Sequence, residues 1–246
     1  MDMNSKDDEL RAGLYLLPVP LAPEATDTIP SRVHQILLQI RHFIVERTRT
    51  ARRFIRKMAP DCVIDELEFA ELDKHRDSND YHRLLAPALE GKPVALLSEA
   101  GCPVIADPGS RLIATAHEMG IAVFPLVGPS SVLLALMASG MSGQAFCFHG
   151  YLPAKRNLLA EALRRLERNS ARHGQTQIFI EAPYRNHQVL EEALKVLAPT
   201  TRLAVAADLT APQETIRSAT IKAWRTAPPL HLHKRPAVFV LSATAG

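Results

Sequence analysis

Four short segments of this 246-residue sequence place small residues, hydroxyls and charges where chemistry can be done. The first is Ser-Glu-Ala-Gly-Cys-Pro-Val-Ile-Ala-Asp-Pro-Gly over residues 98–109. It follows an apolar run directly and leads into a helical pattern. In open α/β sheets ligands bind beyond the carboxyl ends of strands, and small residues there let main-chain N–H and C=O groups approach a ligand. No Lys-Ser or Lys-Thr follows and no GxGxxG is present, so this is neither a P-loop nor a dinucleotide fingerprint. The plainer alternative is a turn that joins strand to helix. The second segment is Val127-Gly128-Pro129-Ser130-Ser131. Ser130 or Ser131 can cap the apolar helix that follows, or the segment can wall a ligand site at a domain junction. The third is Glu181-Ala182-Pro183-Tyr184-Arg185, where Pro183 keeps Ala182 out of the helical region and Glu181 can pair with Arg185. The fourth is Asp208-Leu209-Thr210, again after an apolar run.

These segments need a scaffold, and the apolar periodicity supplies one. Strands are expected at 14–19, 94–98, 121–126, 144–149, 177–181, 203–207 and 237–241. Residues 35–58 read as helical at both ends, with 43–45 able to form a strand between. A helix is expected to open at Asp107-Pro108-Gly109, with Asp107 as its cap, and to stop at Gly120. Further helices are expected at 131–139, 155–172 and 186–197. A strand, a helix and a strand in succession favour a right-handed crossover and a parallel sheet. The expected class is therefore α/β twice over: a flexible tail at 1–12, an N-terminal α/β domain at 13–126 and a C-terminal α/β domain at 127–246.

Composition excludes several classes. At 47% hydrophobic residues the chain can fill a sizeable core. A net charge of +3 does not by itself imply nucleic-acid binding. Cys62, Cys102 and Cys147 are odd in number and far apart, which indicates neither a disulfide framework nor a cysteine zinc site. The acidic start and the lack of a long apolar run lead to the expectation of a cytoplasmic protein without a membrane span. Charge is unevenly spread: residues 41–57 and 155–172 are arginine-rich and 61–80 are acidic. The basic segments are either solvated, internally paired faces or two phosphate-facing patches. With 5% aromatics, base stacking cannot be the main device for holding RNA. His231-Leu232-His233, read as part of a strand, puts two imidazoles on one face but lacks a third ligand, so no metal site is expected. Asp73-Lys74-His75 reads as surface, Cys102 as a small side chain that fits its loop, and Trp224 as core or dimer contact.

At these loops the sequence resembles the tetrapyrrole methylase superfamily of S-adenosylmethionine-dependent methyltransferases. It is most similar to the branch that methylates a ribose 2′-hydroxyl of small-subunit ribosomal RNA. That branch carries SDAGTPGISDPG where this chain has residues 98–109, PGPSA at 127–131, FxGFLPxK at 148–155, ESPHR at 181–185 and ELTK at 208–210 followed by Glu214. Two of its motifs are changed: TPIGNL becomes Val19-Pro20-Leu21-Ala22-Pro23, and AEDTR becomes Val45-Glu46-Arg47-Thr48-Arg49. The resemblance implies two α/β domains with the cofactor in the cleft between them, a homodimer and no metal. It implies that S-adenosylmethionine meets Glu99, Ala100, Gly101, Cys102, Pro103 and Asp107. Ser130, Ser131, Glu181, Ala207 and Thr210 would complete that site. Ribosomal RNA would meet Arg49, Arg52, Arg53, Lys155, Arg156, Tyr184 and Arg185. Glu46, Glu181 and Glu214 are the candidates for the general base. The alternatives are a methylase of a tetrapyrrole or other small molecule, and a non-catalytic relative that binds cofactor or RNA.

Overall fold

The computed structural model describes residues 10–72 and 80–243. Asp73-Lys74-His75 and most of the expected tail lie outside the described residues. The chain splits into two compact units, Met1–Pro129 and Ser130–Gly246.

The first unit runs β1 (Gly13–Leu17), α1 (Ser31–Leu37), β2 (His42–Val45), α2 (Thr48–Met58), β3 (Glu68–Glu71), α3 (Tyr81–Leu89), β4 (Pro93–Leu97), α4 (Ser110–Glu118) and β5 (Val123–Pro125). Its sheet has the order β3-β2-β4-β1-β5, and every neighbouring pair is parallel. Such a sheet is covered on both faces, which is why β1 and β4 read as unbroken apolar runs. Tyr15, Leu17, Phe43, Val45, Ala95 and Leu97 point to one face, under Val33 and Ile36 of α1 and Ile55 of α2. Leu14, Ile44, Val94 and Leu96 point to the other, under Leu85 of α3 and Leu112 and Ala116 of α4. Residues 10 and 11 are held against this unit. Leu10 packs on the first of these cores, the Arg11 guanidinium lies 4.8 Å over the Phe124 ring, and the Tyr15 hydroxyl donates to Arg11 O at 2.9 Å.

The second unit runs α5 (Ser131–Ser139), β6 (Phe146–Tyr151), α6 (Arg156–His173), β7 (Thr176–Ile180), α7 (Asn186–Val196), β8 (Arg202–Ala207), β9 (Thr215–Thr220), α8 (Ile221–Thr226) and β10 (Ala237–Ser242). Its sheet is mixed, in the order β6-β7-β10-β8-β9. Strand β10 runs antiparallel to both β7 and β8, so β6, β7 and β8 share one direction. One face packs on α6, α7 and α8, with Phe179 and Phe239 stacked at 5.0 Å across their register pair. Helix α5 packs against β8, β9 and β10. Trp224 belongs to the core, where its indole N–H donates to Leu203 O at 2.8 Å.

Three local expectations change. The helix expected at Asp107 begins at Ser110, because Gly109 takes φ 134° and ends the loop there. Ser130 occupies the N-cap position of α5, but its side chain makes no capping bond. The 231–233 segment is loop rather than strand, with Leu232 buried, so the two imidazoles do not share a strand face.

The N-terminus of α2 is held from outside the helix. Arg47 sits at the N-cap without a side-chain capping bond, and the Thr48 N–H donates instead to Glu71 Oε1 at 2.7 Å. That bond holds the Glu71 carboxyl below its usual range. A group lowered in the folded state adds stability above its unfolded pKa and loses it as pH falls through the folded one. Glu71→Ala is expected to cost about 0.5–1 kcal/mol at neutral pH, the lower part of the capping range because the carboxylate is exposed. The difference from wild type should vanish on acidification, as read from urea unfolding at a series of pH values.

Candidate functional site

Because the first sheet is wholly parallel, the loops after β1, β2, β4 and β5 all leave at one edge. The loops after β1 and β4 are tied together by an exchange of backbone bonds. Val19 N–H donates to Gly101 O at 2.9 Å and Gly101 N–H donates to Val19 O at 2.8 Å. Gly101 has φ 73°, and a Cβ there would lie 3.1 Å from Leu21 Cδ2 and 3.3 Å from Pro129 O. Its main chain therefore serves the loop rather than a ligand. Cys102 points its sulfur at Gly128 O and Pro129 O, at 3.5 and 3.4 Å. Burial pushes the thiol pKa up, so Cys102 remains a weak donor and not a nucleophile.

Beyond Gly101 the loop is strained. Val104 has φ 73° and Ala106 has φ 67°. A β-branched residue in the left-handed region is a true outlier, and such strain gathers at ligand sites. Val104 is held by packing on the core around Leu96; a Cβ on Gly109 would lie 3.0 Å from both side chains. Among the described residues, Gly101 with Val19 is the only backbone pair made between 99 and 108. The sign of φ alternates over Val104, Ile105 and Ala106, a pattern that can turn successive N–H groups toward one side. Glu46 joins this edge: it follows Val45, whose register partner is Leu97, so Glu46 and Ser98 leave adjacent strands side by side.

In the second unit the loops after β6, β7 and β8 likewise share an edge. Arg185 organises two of them. Its Nη1 lies 3.0 Å from Glu181 Oε2 and its Nη2 donates to Ala154 O at 3.1 Å. Glu181 Oε1 accepts the Ala182 N–H at 2.8 Å. The Glu181 carboxylate is buried and Oε2 has no directed hydrogen bond, although the half-buried Arg185 guanidinium stands beside it. Arg235 organises the third loop: Nε donates to Asp208 at 2.5 Å and Nη2 donates to Gln213 O at 2.9 Å. Asp208 and Thr210 take φ 50° and 69°, and the Thr210 N–H donates to Glu214 Oε2 at 2.8 Å. Thr210 Oγ1 is buried with no partner, as is Oδ1 of Asn186. Ala207, the last residue of β8, is fully buried. Sequence reasoning passed over Arg235 and Asn186. The amide of Asn186 donates to Arg235 O, a contact 49 residues apart in sequence that no local pattern signals.

The substrate candidates divide sharply. Arg52 is paired with Asp65 at 2.7 Å and its guanidinium lies 5.8 Å over Phe69. Arg49 and Arg53 are exposed on the same helix. Arg156 is paired with the buried Glu192 at 2.8 Å, whereas Lys155 is exposed. Tyr184 is 70% exposed, next to the half-buried Arg185. Among the described residues no group of three His, Cys, Asp or Glu side chains is arranged to hold a metal. No helix there is long and apolar enough to cross a membrane.

Residues 15–224 match the family model of the tetrapyrrole (corrin/porphyrin) methylases. The chain belongs to this family. It is 33% identical over 221 residues to the ribosomal RNA small subunit methyltransferase I of Escherichia coli O157:H7, covering 90% of this chain and 73% of that protein. It resembles the crystal structure of the methyltransferase CobJ with a TM-score of 0.60 at 20% identity, over 93% of each chain. A uroporphyrin-III C-methyltransferase from Thermus thermophilus, complexed with S-adenosyl homocysteine, gives a TM-score of 0.53 at 17% identity, over 94% of this chain and 97% of that one. As a tetrapyrrole methylase family member the chain is a methyltransferase whose methyl donor is S-adenosylmethionine. The loop after β4 fits such a donor: at a strand end, Val104 and Ala106 hold its backbone in left-handed angles, the kind of strain that gathers at ligand sites.

Substitutions at two positions test this architecture. A Cβ on Gly128 would lie 2.2 Å from Pro18 Cβ, so Gly128→Ala is expected to cost about 1–3 kcal/mol in denaturant unfolding through overpacking. Arg185→Ala strands the Glu181 carboxylate in the interior and is expected to cost about 3–5 kcal/mol. Arg185→Lys should recover little of that loss, because an ammonium lacks the fork that reaches both Glu181 and Ala154.

Proposed function

We propose that this chain transfers a methyl group from S-adenosylmethionine to a ribose 2′-hydroxyl of small-subunit ribosomal RNA. The observation that carries the reading is the strained loop after β4, in which Val104 and Ala106 take left-handed angles at the carboxyl edge of a parallel sheet. The likeness to a ribosomal RNA small subunit methyltransferase supports the choice of acceptor. When bound, the cofactor supplies an electrophilic methyl group on a good leaving group. The protein therefore has to hold, orient and exclude water, and orientation of that kind is worth roughly 7–11 kcal/mol.

In this reading Glu99, Ala100, Cys102, Pro103 and Asp107 border the cofactor, and Gly101 holds their loop in place through Val19. Glu46 takes the proton from the hydroxyl, because it leaves the sheet beside Ser98. Glu181 and Glu214 hold loops instead, through Arg185 and the Thr210 N–H. Ser130, Ser131 and Thr210 remain proposed cofactor contacts, and Lys155 and Tyr184 proposed RNA contacts. The reading includes a homodimer working in the cytoplasm. Leu133 and Met137 support the dimer: one turn apart on α5, they are 49% and 78% exposed and form an apolar pair for a second copy to cover.

The test is transfer of labelled methyl groups into small-subunit RNA from cells lacking the enzyme. The label is expected on a ribose oxygen, located by the resistance of that linkage to alkali, and a chelator should leave the rate unchanged. Glu46→Gln is expected to lower kcat by about 10²–10⁴ with little change in cofactor affinity, the loss expected for removing a general base. Label entering only a tetrapyrrole or another small molecule would overturn the ribosomal reading.

A further inference from the structure

We infer that the exposed arginine face of α2, formed by Arg49, Arg53 and Arg56, is a track for the phosphate backbone of the RNA. The inference rests on the ribosomal reading above and deepens it by naming the surface. At about 100° per residue, these three side chains fall within an arc of about 60°. Ala51 and Ile55 lie on the opposite side of the helix and are buried in the core. Arg52 falls between the two, and the structure shows what it does there: it reaches Asp65 and covers Phe69. Arg49, Arg53 and Arg56 are exposed and take part in no ion pair or hydrogen bond among the described residues. From Thr48 to Met58 the helix carries no acidic residue.

Position adds to charge. Helix α2 begins three residues beyond the end of β2, at the sheet edge that also carries the 98–109 loop. Its first exposed arginine therefore stands close to that edge, and the others continue along the helix for about 10 Å at 1.5 Å per residue. That length suits two or three consecutive phosphates of a flexible single strand. Glu71 fixes the start of the track by accepting the Thr48 N–H. The other basic helix lacks these properties. In α6, Glu161 and Glu167 interrupt the arginines, and Arg156 at its start is taken by Glu192. Phosphate contacts place a strand without reading its bases, so this face would position RNA while other groups choose the nucleotide.

The experiment measures fluorescence anisotropy of labelled single-stranded oligoribonucleotides between 50 and 200 mM salt. One oligonucleotide is taken from small-subunit RNA, and another of equal length is scrambled. The triple variant Arg49→Glu, Arg53→Glu, Arg56→Glu is expected to bind both at least tenfold more weakly at low salt. The slope of log affinity against log salt should be shallower by about 2, three contacts at about 0.7 each for a single strand. Cofactor affinity by calorimetry should be unchanged. The single variants Arg53→Gln and Arg56→Gln, which keep the helix, should each remove about 0.7 from the slope. Arg52→Gln should lower thermal stability and leave the slope alone. An unchanged slope in the triple and single variants, or an equal effect of Arg52→Gln, overturns the track. Methylation by wild type alongside unchanged binding by the triple variant would defeat this surface alone. RNA binding with the expected slopes but no methyl transfer to RNA would defeat the ribosomal reading and leave the surface standing.

Discussion

The first unit depends on two hydrogen bonds between Val19 and Gly101. Strands β1 and β4 are neighbours, but their connections leave in opposite directions, toward β2 on one side and β5 on the other. Without a tie, the two loops would diverge. The exchange fixes where the long loop starts, and the apolar seat of Val104 beside Leu96 fixes its middle. At Val104 and Ala106 the backbone takes strained angles. The magnitudes balance. Two hydrogen bonds contribute about 0.5–1.5 kcal/mol each and partial burial of a valine up to about 1.5 kcal/mol. Strain at Val104 and Ala106 costs about 1–3 kcal/mol apiece.

The same principle separates side chains that look alike. Arg52 and Arg53 are adjacent in sequence and opposite in use, because one reaches an acid and a ring while the other faces water. Arg185 and Arg235 act as internal braces, binding loop carbonyls and carboxylates at the edge of the second sheet. Charge at a strand end thus does two jobs here. Half-buried guanidinium groups set the loops, and exposed ones face water.

Much of this was legible in the sequence, for physical reasons. Strands buried on both faces, such as 94–97, appear as apolar runs, and small-residue loops after them mark a ligand edge. The paired reading of Glu181 and Arg185 was also available from their spacing, and the structure adopts it. Other elements were hidden. Strand β3 reads Glu-Phe-Ala-Glu and β9 reads Thr-Ile-Arg-Ser-Ala-Thr, because an edge strand needs few apolar residues. Helix α3 contains Pro87, a residue that argues against a helix when read alone. Helix α4 starts three residues beyond the Asp107 that reads as its cap, because the loop needs Gly109 in a conformation that only glycine adopts easily. The partner of Arg52 lies 13 residues away and that of Asp208 lies 27 residues away, beyond any periodicity.

The place of β10 has a consequence for biosynthesis. The first sheet holds only strands made before residue 129, so it can close while the rest of the chain is still being translated. The second sheet is built around its last strand, which lies between β7 and β8 and supplies Val238, Phe239 and Val240 to the interior. Until that strand emerges, β7 and β8 each present an open edge with apolar faces. Nascent chains would thus carry a finished first unit and an uncovered second one until residues 237–242 have left the ribosome, a window in which a chaperone has something to hold.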